Sequence, residues 1–487
     1  MAQRSAGVRL PVQSPVAGLR RRRLSFLEVL AQSVSGLAPS AAMVAVPSIV
    51  LLESGSATLP VLLAATALVV LIGWCLTHFA RRMAAVGGTY SYTARGLGPV
   101  GALVGGWALL IGYAAVAMAA LVGSAVYLAG LFGLDPSPPV VAGACVLLGL
   151  LGTLCTVRGI QLSARVALVL EVLSISLVLT VLAVLLLAPR STPGTAAAVV
   201  DGPVHWGAAV GVVLGVTAFM GFESAATLGV EARRPLVSVP RAVLWTPVVA
   251  GVLLLAAAAA QVVLLRSAPL DVLTSPVPVA ELAERDGLGL LRRLLDLGIA
   301  TSFFACVTGS TNALGRVLFT MAREGVLPAA LGRTHPRFET PHHALTLALP
   351  AVVGVPVVVL LSGSGPRAVL TGALTVSAFG YVLAYVLACL AMPLFLRSIG
   401  ELTPLPAVAG SLAAVAGVLG LGVALGGASL WGGQAMTSVF LTALAPGLLW
   451  ACWLRWRAPG RLAAVGVYDV ATVGSVLPGS VPVEPVP

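Results

Sequence analysis

Residues 218–231 read AFMGFESAATLGVE, which sets one carboxylate, Glu223, inside a run otherwise suited to lipid. On translocon scales a charge at the bilayer centre costs on the order of 2.5–3.5 kcal/mol, so this side chain is expected to face protein or water. Gly221 is the natural place for the helix to open. Such an opening is tolerated at membrane depth only where the freed backbone faces protein or a water-filled cavity.

The rest of the chain calls for the same solvent. Its 487 residues are 59% hydrophobic and 9% charged, with a mean hydropathy of +1.04; that composition excludes a water-soluble domain. Crossing a core of about 30 Å takes roughly 20 helical residues. Twelve runs of that order lie near 24–51, 59–80, 101–131, 139–157, 161–188, 206–230, 242–265, 294–322, 344–362, 368–396, 405–427 and 433–454. They show no dyad alternation, and lipid leaves no backbone group cheaply unpaired, so helices are expected rather than a barrel. The expected fold class is an all-α polytopic membrane protein with 12 transmembrane helices.

Arginine sets the expected orientation, because the chain has no lysine. With the N-terminus inside, 22 arginines fall on the cytoplasmic side and 6 outside (Arg190, Arg266, Arg285, Arg292, Arg293 and Arg367). That bias places a multi-pass protein in the cell membrane with both termini cytoplasmic. The net charge of +11 then reflects topology and anionic inner-leaflet lipid, and no nucleic-acid partner is expected. The opening RRRLSFLEVLAQSVSGLAPSAAM resembles a secretory signal, but Glu28 and Gln32 interrupt it and hydrophobicity runs on to Leu52, so cleavage is not expected. Cys75, Cys145, Cys155, Cys306, Cys389 and Cys452 have no paired spacing and read as inert small hydrophobes. The segment 266–293 is the one sizeable outer loop, with room for a short surface helix. The expected organisation is a basic cytoplasmic tail over 1–23, helices 1–5 over 24–188, helices 6–10 over 189–396, helices 11–12 over 397–454 and a disordered cytoplasmic tail over 455–487.

The first span breaks the rules as the sixth does. Ser33, Ser35, Gly36 and Pro39 crowd its middle, and proline removes an amide and clashes with the carbonyl four residues back. The helix is expected to open near Ser35 to Ala38 and restart at Pro39. Broken helices 1 and 6 begin two five-helix units, and such pairs mark a transporter site at the midplane; the alternative is a pair of simple kinks.

Three motifs carry a family resemblance over roughly residues 24–400. GGTYSYTARGLGPVGALVGGW (87–107) resembles the loop between the second and third helices of the amino acid–polyamine–organocation (APC) superfamily permeases. AFMGFESAATLGVEARRPLVSVPRAV (218–243) resembles their sixth-helix signature, and NALGRVLFTMAREGVLP with HPRFETP (312–341) is similar to their eighth helix and following loop. The resemblance implies a LeuT-type fold, a 5+5 inverted repeat plus two peripheral helices, and alternating-access uptake of amino acids or organic amines. The first helix departs from the family's Gly-x-Gly triplet, carrying Ser35-Gly36-Leu37-Ala38-Pro39 instead.

An α-amino acid between the breaks would set its carboxylate where free amides and the positive dipole end lie, around Leu37, Ala38 and Ser40. Its ammonium would meet unwound carbonyls near Phe219, Met220 and Gly221 and from Ser33 to Ser35, with Gly36 leaving room. Ser35 and Ser40 either add hydroxyl bonds or bond their own backbone. Phe219 and Phe222 either line the side-chain pocket or pack as core, and Tyr113 is a secondary candidate that any carbonyl would satisfy. Glu223 and Glu171 are the coupling candidates. Each either exchanges a proton as hydration alternates or pins two helices, with function preferred for Glu223. Sodium is the rival ion, with hydroxyls from Thr308, Ser310 and Thr311, and the proton is preferred.

An enzyme is not expected: His78, His205, His335, His342 and His343 sit at helix ends or loops, without metal-ligand spacing or a nucleophile motif. No cofactor or metal is expected, and no channel filter is visible. The expected function is proton-coupled amino acid import by a secondary transporter. The alternatives are a polyamine or organic amine permease, an amino acid exchanger, and a transporter-like nutrient sensor.

Overall fold

The computed structural model describes residues 18–188, 195–197, 207–275, 277–426 and 433–466, together with Asp469. Among these the extended elements are all helical, with one isolated parallel bridge between Leu24 and Ala232. Ten stretches are long and apolar enough to cross a membrane. The first, Phe26–Ala80, strings together α1 (Phe26–Leu37), α2 (Pro39–Ser54) and α3 (Thr58–Ala80). There follow α4 (Thr89–Leu131), α5 (Pro138–Val157), α6 (Ile160–Leu187), α7 (Gly207–Thr217) and a 3-10 turn over Phe222–Leu228. The chain continues through α8 (Pro235–Arg266), short helices α9 (Leu270–Leu273) and α10 (Pro278–Arg285), and α11 (Gly289–Arg323). It ends in α12 (His342–Leu361), α13 (Pro366–Ser398), α14 (Pro404–Gly426), α15 (Gly433–Arg457) and α16 (Pro459–Leu462). Helix α11, which carries Arg292, Arg293, Asp296 and Arg316, is not among the ten apolar stretches.

Local chemistry sets the boundaries. Ser25 and Glu28 form a capping box that starts α1, each satisfying an orphan amide. Within α4, Gly98 at φ 74 breaks the helix before Pro99, as expected where proline cannot accept the preceding turn. The centre is built by α4 packing on α13 and α11. A Cβ on Gly380 would meet the Ala108 carbonyl at 2.5 Å and the Gly112 nitrogen at 2.7 Å, so the backbones of α4 and α13 nearly touch. Small residues serve this purpose in membranes, where close packing replaces the hydrophobic effect. Leu347, Leu419, Leu449 and Trp456 remain exposed on the outside, as a lipid solvent permits.

One end of the bundle is sealed by backbone pairing and one buried ion pair. The amides of Arg22 and Leu24 donate to the carbonyls of Val230 (3.1 Å) and Glu231 (2.8 Å), and Arg233 returns a bond to Leu24 (2.9 Å). Arg316 of α11 grips both oxygens of Glu231, at 2.8 and 3.0 Å, with the two side chains only 1% and 2% exposed. Removing one partner of such a pair strands a buried charge, so Arg316→Ala is expected to cost about 3–5 kcal/mol of stability. Thermal unfolding in detergent checks this, and Arg316→Ala combined with Glu231→Ala is expected to recover part of the loss.

The tail after Arg457 corrects an expectation. Its described part is folded rather than disordered: after α16, Gly466 donates its amide to Glu324 at 2.9 Å and Asp469 donates its own to the Ala84 carbonyl at 2.9 Å. The Asp469 carboxylate, 2% exposed, takes Arg21 at 2.6 and 2.8 Å. A single acid meeting the basic N-terminal segment holds the chain where Pro/Gly/Val composition suggested no order. Residues 1–17 and 470–487 lie outside the described residues. In the loop between α8 and α11, Arg285 bonds Asp271 at 2.6 Å and Glu281 at 3.1 Å, joining the two short helices.

Candidate functional site

Both breaks are present, and they touch. Helix α1 ends at Leu37, Ala38 adopts the left-handed conformation (φ 52, ψ 60), and α2 restarts at Pro39. Helix α7 ends at Thr217, residues 218–221 form turns, and Gly221 at φ 93 precedes the 3-10 segment. A Cβ on Gly36 would lie 2.7 Å from the Gly221 carbonyl oxygen and 2.8 Å from Ser224 Oγ. A Cβ on Gly221 would run into the Gly36 carbonyl. The two opened backbones therefore lie against each other.

Side chains of the two broken elements and of α11 hold this contact. Ser33 Oγ donates to the Phe222 carbonyl, and Ser224 Oγ returns a bond to the Gln32 carbonyl at 2.9 Å. Gln32 Nε2 reaches the Gly309 carbonyl of α11 at 2.7 Å, and Cys306 Sγ lies 3.4 Å from the Gly36 carbonyl. Cys306 thus serves the break rather than simply filling space. A Cβ on Gly309 would meet Ser35 Oγ at 2.5 Å and the Gly36 nitrogen at 2.9 Å, so glycine there lets α11 approach.

Glu223 is fully buried in a cage of tyrosines. Tyr113 of α4 donates to Oε1 at 2.7 Å, and Tyr385 of α13 donates to Oε2. Tyr385 Oη also accepts the Gly221 amide at 3.3 Å, which ties the carboxyl to the break itself. Tyr381 packs edge-on against Tyr113, with ring centroids 5.3 Å apart. Tyr385→Phe would take one hydrogen bond from the buried carboxyl and one from the Gly221 amide, each worth about 0.5–1.5 kcal/mol net. The expected result is a lowered thermal midpoint together with slower uptake, whereas Tyr→Phe at an exposed site changes neither.

Glu171 stands at the other break. From the middle of α6 its Oε1 accepts the Ser40 amide at 3.0 Å, Ser40 Oγ at 2.7 Å and Ser302 Oγ of α11 at 3.0 Å. The restart of the first helix, where free amides are expected around Leu37 to Ser40, therefore carries a carboxylate of the protein's own. The physical basis is a general one: a helix N-terminus attracts negative charge.

The remaining candidates divide. Ser35 Oγ bonds the Gln32 carbonyl of its own helix at 3.1 Å, and Thr308 bonds Ala305 at 2.8 Å. Thr311 is buried with its hydroxyl unpartnered, and Ser310 lies 3.6 Å from Cys306 Sγ. Leu37, Phe219 and Met220 are buried in the main core. Phe222 packs on Tyr385, with centroids 5.6 Å apart, and faces Gly73 of α3. Sequence reasoning missed Gln32, Ser224, Ser302 and Tyr385, and read Ser33 for its backbone carbonyl rather than for its hydroxyl. The one available signal was FGYVLAYVL (379–387), which repeats tyrosine four residues apart on one helix face.

A membrane-embedded helical bundle with two opened helices meeting beside a buried acid defines a multi-pass transport protein. The comparisons agree: the Amino acid permease family model matches residues 24–450, and the chain belongs to that family. It is 29% identical over 433 residues to an uncharacterized transporter of Mycobacterium tuberculosis, covering 83% of this chain and 90% of the relative. It is 26% identical over 306 residues to a branched-chain amino acid permease of Bacillus subtilis, covering 55% of this chain and 60% of that one. A methylthioribose transporter of Bacillus subtilis is 24% identical over 294 residues, with shares of 56% and 60%.

Proposed function

We propose that this permease is a secondary active transporter that imports an amino acid by alternating access, coupled to a proton at Glu223. The observation that carries the proposal is the contact of the two breaks beside a carboxyl held by α4, α13 and the Gly221 amide. In this reading α1 with α2, and α7 with its 3-10 segment, are the first and sixth of twelve spanning units. Units one to five and six to ten form the inverted repeats, α14 and α15 are peripheral, and both termini are cytoplasmic. The substrate lies between Ser35, Gly36, Leu37, Ala38 and Ser40 on one side and Phe219, Met220, Gly221 and Phe222 on the other, once the breaks part. Relatives named as branched-chain amino acid permeases support an amino acid as cargo.

Purified protein reconstituted into liposomes tests this. Accumulation of a labelled amino acid above the outside concentration is the expected result. Binding without accumulation would make the protein a sensor, and accumulation of organic amines alone would replace the substrate class.

A further inference from the structure

We propose that Glu171 is an internal occupant of the subsite that receives the substrate's carboxylate, so that an amino acid binds by displacing it from Ser40. The inference rests on the amino acid reading above and adds a residue that sets specificity.

The donors at the restarted helix are few. Pro39 has no amide hydrogen, the Ala38 amide is spent on the Val34 carbonyl at 3.3 Å, and the Ala42 amide on the Ala38 carbonyl at 3.1 Å. The Ser40 amide points out of the helix instead, and with the Ser40 and Ser302 hydroxyls it converges on a single oxygen, Glu171 Oε1. A helix N-terminal amide flanked by two hydroxyls is a carboxylate receptor by its chemistry. It lies two residues from Ala38, in the first turn of the restarted helix. A substrate carboxylate and Glu171 would need the same three donors, so they exclude each other.

The second observation is what Glu171 lacks. Its other oxygen, Oε2, is buried without a hydrogen-bond partner, in a residue only 1% exposed. Among the described residues it forms no ion pair. A carboxyl kept only to pin helices would be expected to satisfy both oxygens, since an unpaired buried acceptor is costly. Glu171 is half-satisfied, held by the receptor on one side and by nothing on the other. That is the state of a group able to leave. A substrate without a carboxylate offers no anionic acceptor to replace it at Ser40, so displacement favours amino acids over the matching amines and amides.

The test uses full-length purified protein and the common L-amino acids, ranked by thermal stabilisation, because a ligand that binds the folded state stabilises it by mass action. The best-bound amino acid and its carboxamide are then titrated on the parent, Glu171→Ala and Glu171→Gln. If the occupied form holds about nine-tenths of the population, removing the occupant tightens amino acid binding about ten-fold, while the carboxamide stays within about two-fold. Glu171→Gln keeps an acceptor oxygen without its charge, and a smaller gain of about three-fold in the same direction is expected; it serves where the alanine variant does not fold. Acetate should compete with the amino acid in Glu171→Ala. Amino acid affinity that is unchanged or weakened in both variants, or that moves in step with the carboxamide, overturns the inference while leaving the transport reading in place. If neither the parent nor a variant binds any amino acid, the substrate reading and this inference fall together.

Discussion

Gly221→Val is expected to abolish uptake while the protein still inserts into the membrane. Gly221 sits at φ 93, where an L side chain costs roughly 1–2 kcal/mol and a β-branched one more. Its Cβ would also enter the Gly36 carbonyl. Gly36→Val acts from the opposite side, with a Cβ 2.7 Å from the Gly221 oxygen and 2.8 Å from Ser224 Oγ. Each change wedges the same two backbones apart and occupies the space proposed for substrate. A displacement of about 1 Å at a reacting or binding centre is enough for a loss on the order of 100-fold, and both variants are expected to exceed it. The check is initial uptake rate, normalised to the amount of inserted protein. Normal uptake by both variants would remove the breaks from the transport pathway.

Glu223→Gln separates exchange from accumulation. Glutamine keeps the shape of a protonated carboxyl and can remain between Tyr113 and Tyr385 once the tyrosine facing its NH2 turns its hydroxyl to accept, so the break stays organised. It cannot release a proton. One pH unit across the membrane is about 1.36 kcal/mol, which sustains about ten-fold accumulation for one proton per substrate. Parent proteoliposomes in sodium-free buffer are expected to reach that ratio, and Glu223→Gln to equilibrate near unity while still exchanging internal for external substrate. Glu171→Gln is the control. It should keep gradient-driven accumulation, and loss of accumulation there would move the coupling role to α6. A strict sodium requirement in the parent would overturn proton coupling.

The breaks were legible because their causes are local. Pro39 lacks an amide, Gly221 tolerates a positive φ, and both act on the residues beside them, so sequence placed the openings to within a few positions. The partners of the two acids were not legible in the same way. Tyr385 lies 162 residues from Glu223, and Ser40 lies 131 residues from Glu171. Nothing in either stretch names the other; only the packing of α4, α6, α11 and α13 brings them together. Tyr113 was read as able to bond any carbonyl, and it bonds the acid instead. The restart at Pro39 follows from the proline itself, but that Glu171 lies on Ser40 depends on a helix whose rotation no periodicity fixes. Helix α6 is apolar around its circumference, so Glu171 had no face to betray its direction. The folded part of the C-terminal tail escaped for a related reason. Its contacts are remote in sequence: Asp469 meets Arg21 and Arg22, more than 440 residues away, and Gly466 bonds Glu324.

The most direct test is a structure of the protein with its best-bound amino acid. The expected result is density between Ala38 and Gly221, the Gly36 and Gly221 backbones parted, the ligand carboxylate on the Ser40 amide and Glu171 withdrawn from it. Density elsewhere, with Gly36 still against Gly221 and Glu171 still on Ser40, would rule out a substrate site between the breaks.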